Sequence, residues 1–134
     1  MSTFNEGIIA EFRENGGVVE SHGFGSDLVL LHTTGARTGE SRVNPLMAVA
    51  DEGSWIIVAS FGGAPRHPAW YFNLQANPHA EIETGAEEIP VTATDLEGAE
   101  YDRAWALVVA RSDAFEGYAA RSGRRIPVVR LTRR

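Results

Sequence analysis

Three apolar runs joined by turns too short to cross over constrain this chain more than any other feature. "DLVLLHTT" (residues 27–34) reads as a buried strand, "GARTGE" (35–40) as a turn with two glycines, and "SRVNPLMAVA" (41–50) as the returning strand. "DEG" then turns the chain into "SWIIVAS" (54–60), a third strand. A parallel connection needs a crossover of roughly a dozen residues or more, so links this short impose antiparallel pairing. Pro45 cannot donate to a ladder, which puts it at an edge or a bulge.

The pattern continues. "HAEIET" (79–84) and "EEIPVTATDL" (87–96) read as an antiparallel pair turning at Gly85 and Ala86, and "RRIPVVRLTRR" (124–134) as a closing strand. Helices fill the intervals. Residues 3–14 place Phe4, Ile8, Ile9 and Phe12 on one face, and Gly16 and Gly17 stop the helix. A second helix starts at Pro68, where a missing N–H is no loss, and ends before Pro78. "GAEYDRAWALVVARS" (98–112) is a third, with Tyr101, Trp105, Leu107, Val108 and Val109 as its apolar side. "DAFEGYAARSG" (113–123) is a shorter fourth. About six short antiparallel strands with a few helices suit an α+β, mainly β, fold: a small barrel with helices packed outside it. Closure is favoured over an open sheet because it removes exposed edges. With 134 residues there is enough chain for one core, read as a single domain (1–134) in which residues 1–26 are an N-terminal helix and loop.

Composition excludes several function classes. Twelve basic against 18 acidic residues give a net charge of −6, which repels a nucleic-acid backbone. With no cysteine there are no disulfides and no thiolate metal sites, which fits a reducing, cytoplasmic setting. No apolar run approaches the roughly 18 residues that a membrane span needs. The first residues carry acids and lack a basic start, unlike a signal peptide. His22, His32, His67 and His79 lack metal-ligand spacing, so no metal is expected. The glycine fingerprint of dinucleotide-binding folds, the P-loop and the GxSxG nucleophile elbow are all missing.

Two segments carry chemistry. In "TTGARTGESRVNPL", Arg37 and Arg42 flank a glycine turn whose backbone N–H groups can cup an anion, while the guanidiniums grip phosphate bidentately. In "SFGGAPRHPAWYFNLQANP", Gly62 and Gly63 allow close backbone approach, and the helix starting at Pro68 points its N–H groups at the same region. Trp70, Tyr71 and Phe72 cannot share one helix face; some belong to the core and at least one borders the loop. Together they describe a glycine- and Arg-lined cleft suited to a phosphorylated aromatic ligand.

"TTGARTGESRVNPL", "VASFGGAPRHPAWYFNLQANP" and "RRIPVV", in this order, resemble the deazaflavin (F420)-dependent nitroreductases of actinobacteria, also described as F420H2-dependent quinone reductases. That family has the split β-barrel fold shared with flavin mononucleotide-binding oxidoreductases. The resemblance implies coenzyme F420, with a tricyclic ring, a phosphate and an acidic tail; flavin mononucleotide is the alternative. It implies that Ala36, Arg37, Thr38 and the run Arg42, Val43, Asn44, Pro45, Leu46 and Met47 contact phosphate, ring edge and tail. Val58, Ala59, Ser60, Phe61, Gly62 and Gly63 then run along the ring. Ala69, Trp70, Tyr71, Phe72 and Asn73 close the other side, with Trp70 as the aromatic wall. Ser60 and Tyr118 are the catalytic candidates, as donors to the oxygen that gains charge, and Phe115 lies in the same region. Members often carry Lys where this chain has Phe61, and the nitroimidazole-reducing members carry several tyrosines in the region that here reads Ser112, Phe115 and Tyr118.

The implied activity is hydride transfer from reduced deazaflavin to an electron-poor small molecule: a quinone, a conjugated alkene or a nitroaromatic compound. The alternative is a non-catalytic module of the same fold that binds F420, flavin or haem. Split barrels commonly form homodimers. Some relatives meet the membrane through the N-terminus, but the acidic polar face of the first helix here implies at most weak contact at the inner face.

Overall fold

The computed structural model describes residues 3–20, 25, 28–60, 63–85, 87–112 and 114–134; His22, Phe61, Gly62, Ala86 and the Phe4 side chain lie outside what it describes. The elements are α1 (Thr3–Glu14), β1 (Leu28–Thr34), β2 (Ser41–Met47), β3 (Val49–Asp51), β4 (Ser54–Val58), α2 (Ala69–Ala76), β5 (His79–Glu83), β6 (Glu88–Asp95), α3 (Gly98–Arg111), α4 (Ala114–Ser122) and β7 (Val128–Arg133). The strands form one seven-stranded sheet in the order β2-β1-β5-β6-β7-β4-β3, with every pair antiparallel.

This order explains the shape. β2 and β3 stand at opposite ends of the sheet, yet Ala48 alone separates them in the chain. Covalent continuity therefore brings the two edges together, and the sheet curls into a split β-barrel. The run 41–50, expected as one strand, is two: it bends at Ala48, leaving the β1 ladder and joining β4. Among the described residues there are thus seven strands where about six were expected, the extra one arising from this break. Pro45 lies on β2, opposite Leu30, with its missing N–H on the side that has no further strand in the ladder. The closing strand starts at Val128, not Arg124, and the third strand ends at Val58, not Ser60. Both shortened ends serve the site described below.

The core has three parts. Inside the barrel, Leu31, Ile57, Ile82, Ile89, Val91 and Leu131 are almost wholly buried together with Trp70, Tyr71 and Leu74 of α2. Each such side chain contributes about 1.5–3 kcal/mol by leaving water. Ala104 and Val108 of α3 and Phe115 of α4 pack on Val49, Ile56 and Val128. Ile8, Ile9 and Phe12 of α1 pack on Leu28 and Leu30 of β1, as the periodicity of residues 3–14 requires.

α1 is held at its end by a contact between backbones. A Cβ added to Gly85 would lie 1.9 Å from the Gly16 carbonyl oxygen, and one added to Gly17 would lie 2.7 Å from the Gly85 Cα. Glycines on both sides are thus what lets the helix end cross the β5–β6 turn. Arg13 adds a two-pronged ion pair to Glu83, at 3.2 and 3.1 Å.

Candidate active site

A cavity of about 520 Å³ opens between α1, β2, the end of β4, the start of α2, and α4. Each wall follows from local structure. β2 is curled over the opening and presents Asn44, Pro45, Leu46 and Met47. β4 supplies Val58, and the chain leaving it supplies Ser60, which is 7% exposed. α2 begins at the cavity: Pro68 caps it with φ −69°, and Pro68, Ala69 and Trp70 line the wall. The first N–H groups of a helix have no partners within it, so this wall favours a partial negative charge. α4 adds Phe115 and Tyr118, whose rings meet edge-on with centroids 5.4 Å apart. α1 adds Asn5 and Ile8, and β1 adds Leu28. The result is a mainly apolar pocket with a few polar groups, the form that small-molecule sites take.

The structure therefore gathers Asn44, Pro45, Leu46, Met47, Val58, Ser60, Ala69, Trp70, Phe115 and Tyr118 around one space. Among the described residues, Ala36, Arg37, Thr38, Arg42, Val43, Ala59, Gly63, Tyr71, Phe72 and Asn73 stand outside its lining, and Phe61 and Gly62 are not described. Ala36, Arg37 and Thr38 lie exposed on the β1–β2 turn, and Arg42 beyond it pairs with Glu40 at 2.9 Å. Val43 packs against the α1 face of β1.

The three consecutive aromatics of α2 part company. Trp70 faces the cavity, Tyr71 is buried in the barrel core and donates to Asp95, and Phe72 is 48% exposed. Burial first, and then the Asp95 carboxylate, push the Tyr71 hydroxyl up to about 12, so it stays a donor. Gly63, at φ +88°, has its open side filled by protein: an added Cβ would lie 3.3 Å from the Tyr118 Cα and 3.1 Å from the Arg121 Nε. The close approach that this glycine permits is that of α4.

Asn73 acts as a strut. It is 8% exposed; its Oδ1 accepts from the Ala36 N–H at 2.9 Å and its Nδ2 donates to the Thr33 Oγ1 at 3.1 Å. It thereby fixes the turn that carries Arg37 against α2. Asn73→Ala strands a backbone donor and a buried hydroxyl, and is expected to cost about 1–3 kcal/mol. The denaturant midpoint should fall and trypsin should cut faster after Arg37; unchanged values for both would rule the strut out.

Sequence reasoning missed Asn5, Ile8, Leu28 and Arg124. The first three follow from α1 closing over β1. Arg124 was hidden at the head of the supposed last strand. Its guanidinium lies inside the loop between β4 and α2 and donates to the carbonyls of Ala59 (3.1 Å), Ser60 (3.1 Å), Ala64 (3.1 Å) and Arg66 (2.9 Å). Its Nη1 also donates to the His67 Nδ1 at 2.9 Å. Desolvation first, then the Arg124 charge, lower the His67 pKa, which keeps the ring neutral and able to accept.

Residues 8–133 match the family profile described as F420H(2)-dependent quinone reductase. An F420H(2)-dependent quinone reductase of Mycobacterium tuberculosis is 44% identical over 109 residues, covering 79% of this chain and 73% of the relative. The solved structure of an F420-H2 dependent reductase, FDR-A, superposes with a TM-score of 0.73 at 42% identity, over 78% of this chain and 93% of that one. A second solved chain, described as a domain-swapped dimer, gives 0.75 at 36% identity over 96% of both.

Proposed function

The chain belongs to the F420H(2)-dependent quinone reductase family, and we propose that it reduces a quinone with F420H2 in the cavity between Trp70 and α4. The observation that carries the reading is the make-up of that cavity: a mainly apolar space walled by an indole, with a helix N-terminus and a buried serine in its lining. Such a lining suits a flat ring whose edge is polar.

When bound, F420H2 supplies a hydride, which with one proton turns a quinone into its quinol. The protein's residues position and polarise. Trp70 on one side, and Pro45, Leu46 and Val58 on the other, would hold the ring. The α2 N-terminus favours charge at its edge. Arg37 on the β1–β2 turn and Arg42 at the start of β2 would meet phosphate and acidic tail. Ser60 and Tyr118 are the hydroxyls available to donate to the quinone oxygen as it gains charge. Among the described residues no group of three or more His, Cys, Asp or Glu could hold a metal ion, and the proposed reduction needs none.

Oxidation of F420H2, followed by absorbance with and without a naphthoquinone, tests the proposal. Quinone-dependent turnover is expected; binding without turnover would leave a coenzyme-binding module instead. Ser60→Ala is expected to lower kcat by about 100-fold if that hydroxyl is a principal donor to the developing charge. A kcat within about twofold of the unaltered protein would remove Ser60 from that role.

The relative solved as a domain-swapped dimer supports a homodimer, which light scattering can check. No helix among the described residues is long and apolar enough to cross a membrane. The proposed setting is the cytoplasm. Glu6, Glu11 and Glu14 on α1 would be repelled by anionic headgroups, so contact with a membrane-borne quinone is expected to be brief.

A further inference from the structure

The stretch "SFGGAPRHP" contains charged, aromatic and glycine residues that a simple turn does not need. One side chain from elsewhere ties several of its described parts together. Arg124 lies 57–65 residues away in sequence and engages four carbonyls and one imidazole. The guanidinium has five N–H donors in a fixed planar fork, and all its nitrogens are used. These partners bracket the cavity wall: Ser60 at one end, and His67, next to the α2 cap Pro68, at the other.

We propose that Arg124 is a positioning residue, whose guanidinium ties together Ala59, Ser60, Ala64, Arg66 and His67 and thereby places Ser60 and the start of α2 against the coenzyme, while His67 is neutral. The proposal rests on the F420 reading for its functional consequence, but not for the loop geometry.

The condition on His67 follows from the direction of the Arg124 N–H, which needs a lone pair on Nδ1. A proton there would set two cations face to face. The groups facing His67 are Arg124, Asp95 at the end of β6, and the rings of Tyr71 and Phe72, with centroids at 4.9 and 5.7 Å. Burial and Arg124 lower the pKa and Asp95 opposes them. A released or unfolded His67 takes up a proton near its ordinary 6.5, whereas the clasped one resists it. The clasp is therefore complete above that pH and weakens as pH falls below it.

The test uses the full chain in its unaltered form and as Arg124→Gln, Arg124→Lys, His67→Gln and, as control, Arg103→Gln. Arg103 pairs with Asp51 at 3.0 Å, away from the cavity. The first readout needs no coenzyme: trypsin cleavage after Arg66 should accelerate in Arg124→Gln, stay near the unaltered rate in Arg103→Gln, and fall between them in Arg124→Lys. The second is binding of oxidised F420 by fluorescence, together with kcat/KM, which should drop by about 100-fold in Arg124→Gln, as expected for a misplaced site. The third keeps the proposal testable should Arg124→Gln fail to fold. Between about pH 8 and pH 5.5 the F420 Kd of the unaltered chain should rise more steeply than that of His67→Gln, whose amide oxygen accepts throughout. Unchanged cleavage and binding in Arg124→Gln would overturn the positioning role. Coincident pH profiles would overturn the condition on His67. If the unaltered chain binds no F420 while cleavage still depends on Arg124, the coenzyme reading falls and the loop clasp stands.

Discussion

Replacing Gly85 by alanine should be among the most damaging single changes to this fold. The added methyl would sit 1.9 Å from the Gly16 carbonyl oxygen and 2.8 Å from its carbon, both of them backbone. No rotamer relieves a Cβ, so the β5–β6 turn and the end of α1 must part. Gly17, at φ +95°, has no room on its side either. Separation loosens Ile8, Ile9 and Phe12, each worth about 1.5–3 kcal/mol when buried. It also moves Asn5 and Ile8 out of the cavity wall. The expected loss is about 3 kcal/mol or more, seen as a fall in Tm of about 10 °C. Gly7→Ala is the control. It lies inside α1 with open space around its Cβ, and should gain roughly 0.5–1 kcal/mol from helix propensity. A Gly85→Ala protein melting within about 2 °C of the unaltered one would show that the crossing is not tight.

Trp70→Ala should fail in two ways at once. The indole is 4% exposed and belongs to the barrel core, so its removal leaves a void costing about 3–5 kcal/mol. It also forms a cavity wall, so coenzyme affinity should fall with stability. Trp70→Phe separates the two effects, because it keeps most of the apolar volume with a smaller ring face. It should remain folded while binding F420 more weakly. Full affinity in a folded Trp70→Phe protein would take the indole out of the coenzyme site.

Much of this architecture was legible because its signals are local. The 3.6-residue period of residues 3–14 and the proline at residue 68 mark helices in their own sequence, and α1 and α2 form there. The bend at Ala48 was not legible. Residues 41–50 stay strand-like throughout, and only the meeting of β2 and β3 across the barrel requires a break. Gly63 shows a subtler limit. A glycine announces that something comes close, and the sequence does not say whether it is a ligand or, as here, α4. Asn73 sits in a motif that the family resemblance assigns to the coenzyme, yet its amide is occupied by Thr33 and Ala36. Arg124 is one of 12 arginines in a chain without lysine, and nothing near it in sequence names partners some 60 residues earlier.

The most direct test of the central claim is a titration of the purified protein with oxidised F420, following tryptophan fluorescence, with flavin mononucleotide in parallel and Trp70→Phe as reference. Three tryptophans are present, and among them Trp70 alone lines the cavity. Saturable quenching by F420 that is largely lost in Trp70→Phe is expected, with little response to flavin mononucleotide. Quenching by flavin mononucleotide alone, or F420 quenching that survives in Trp70→Phe, would contradict that claim.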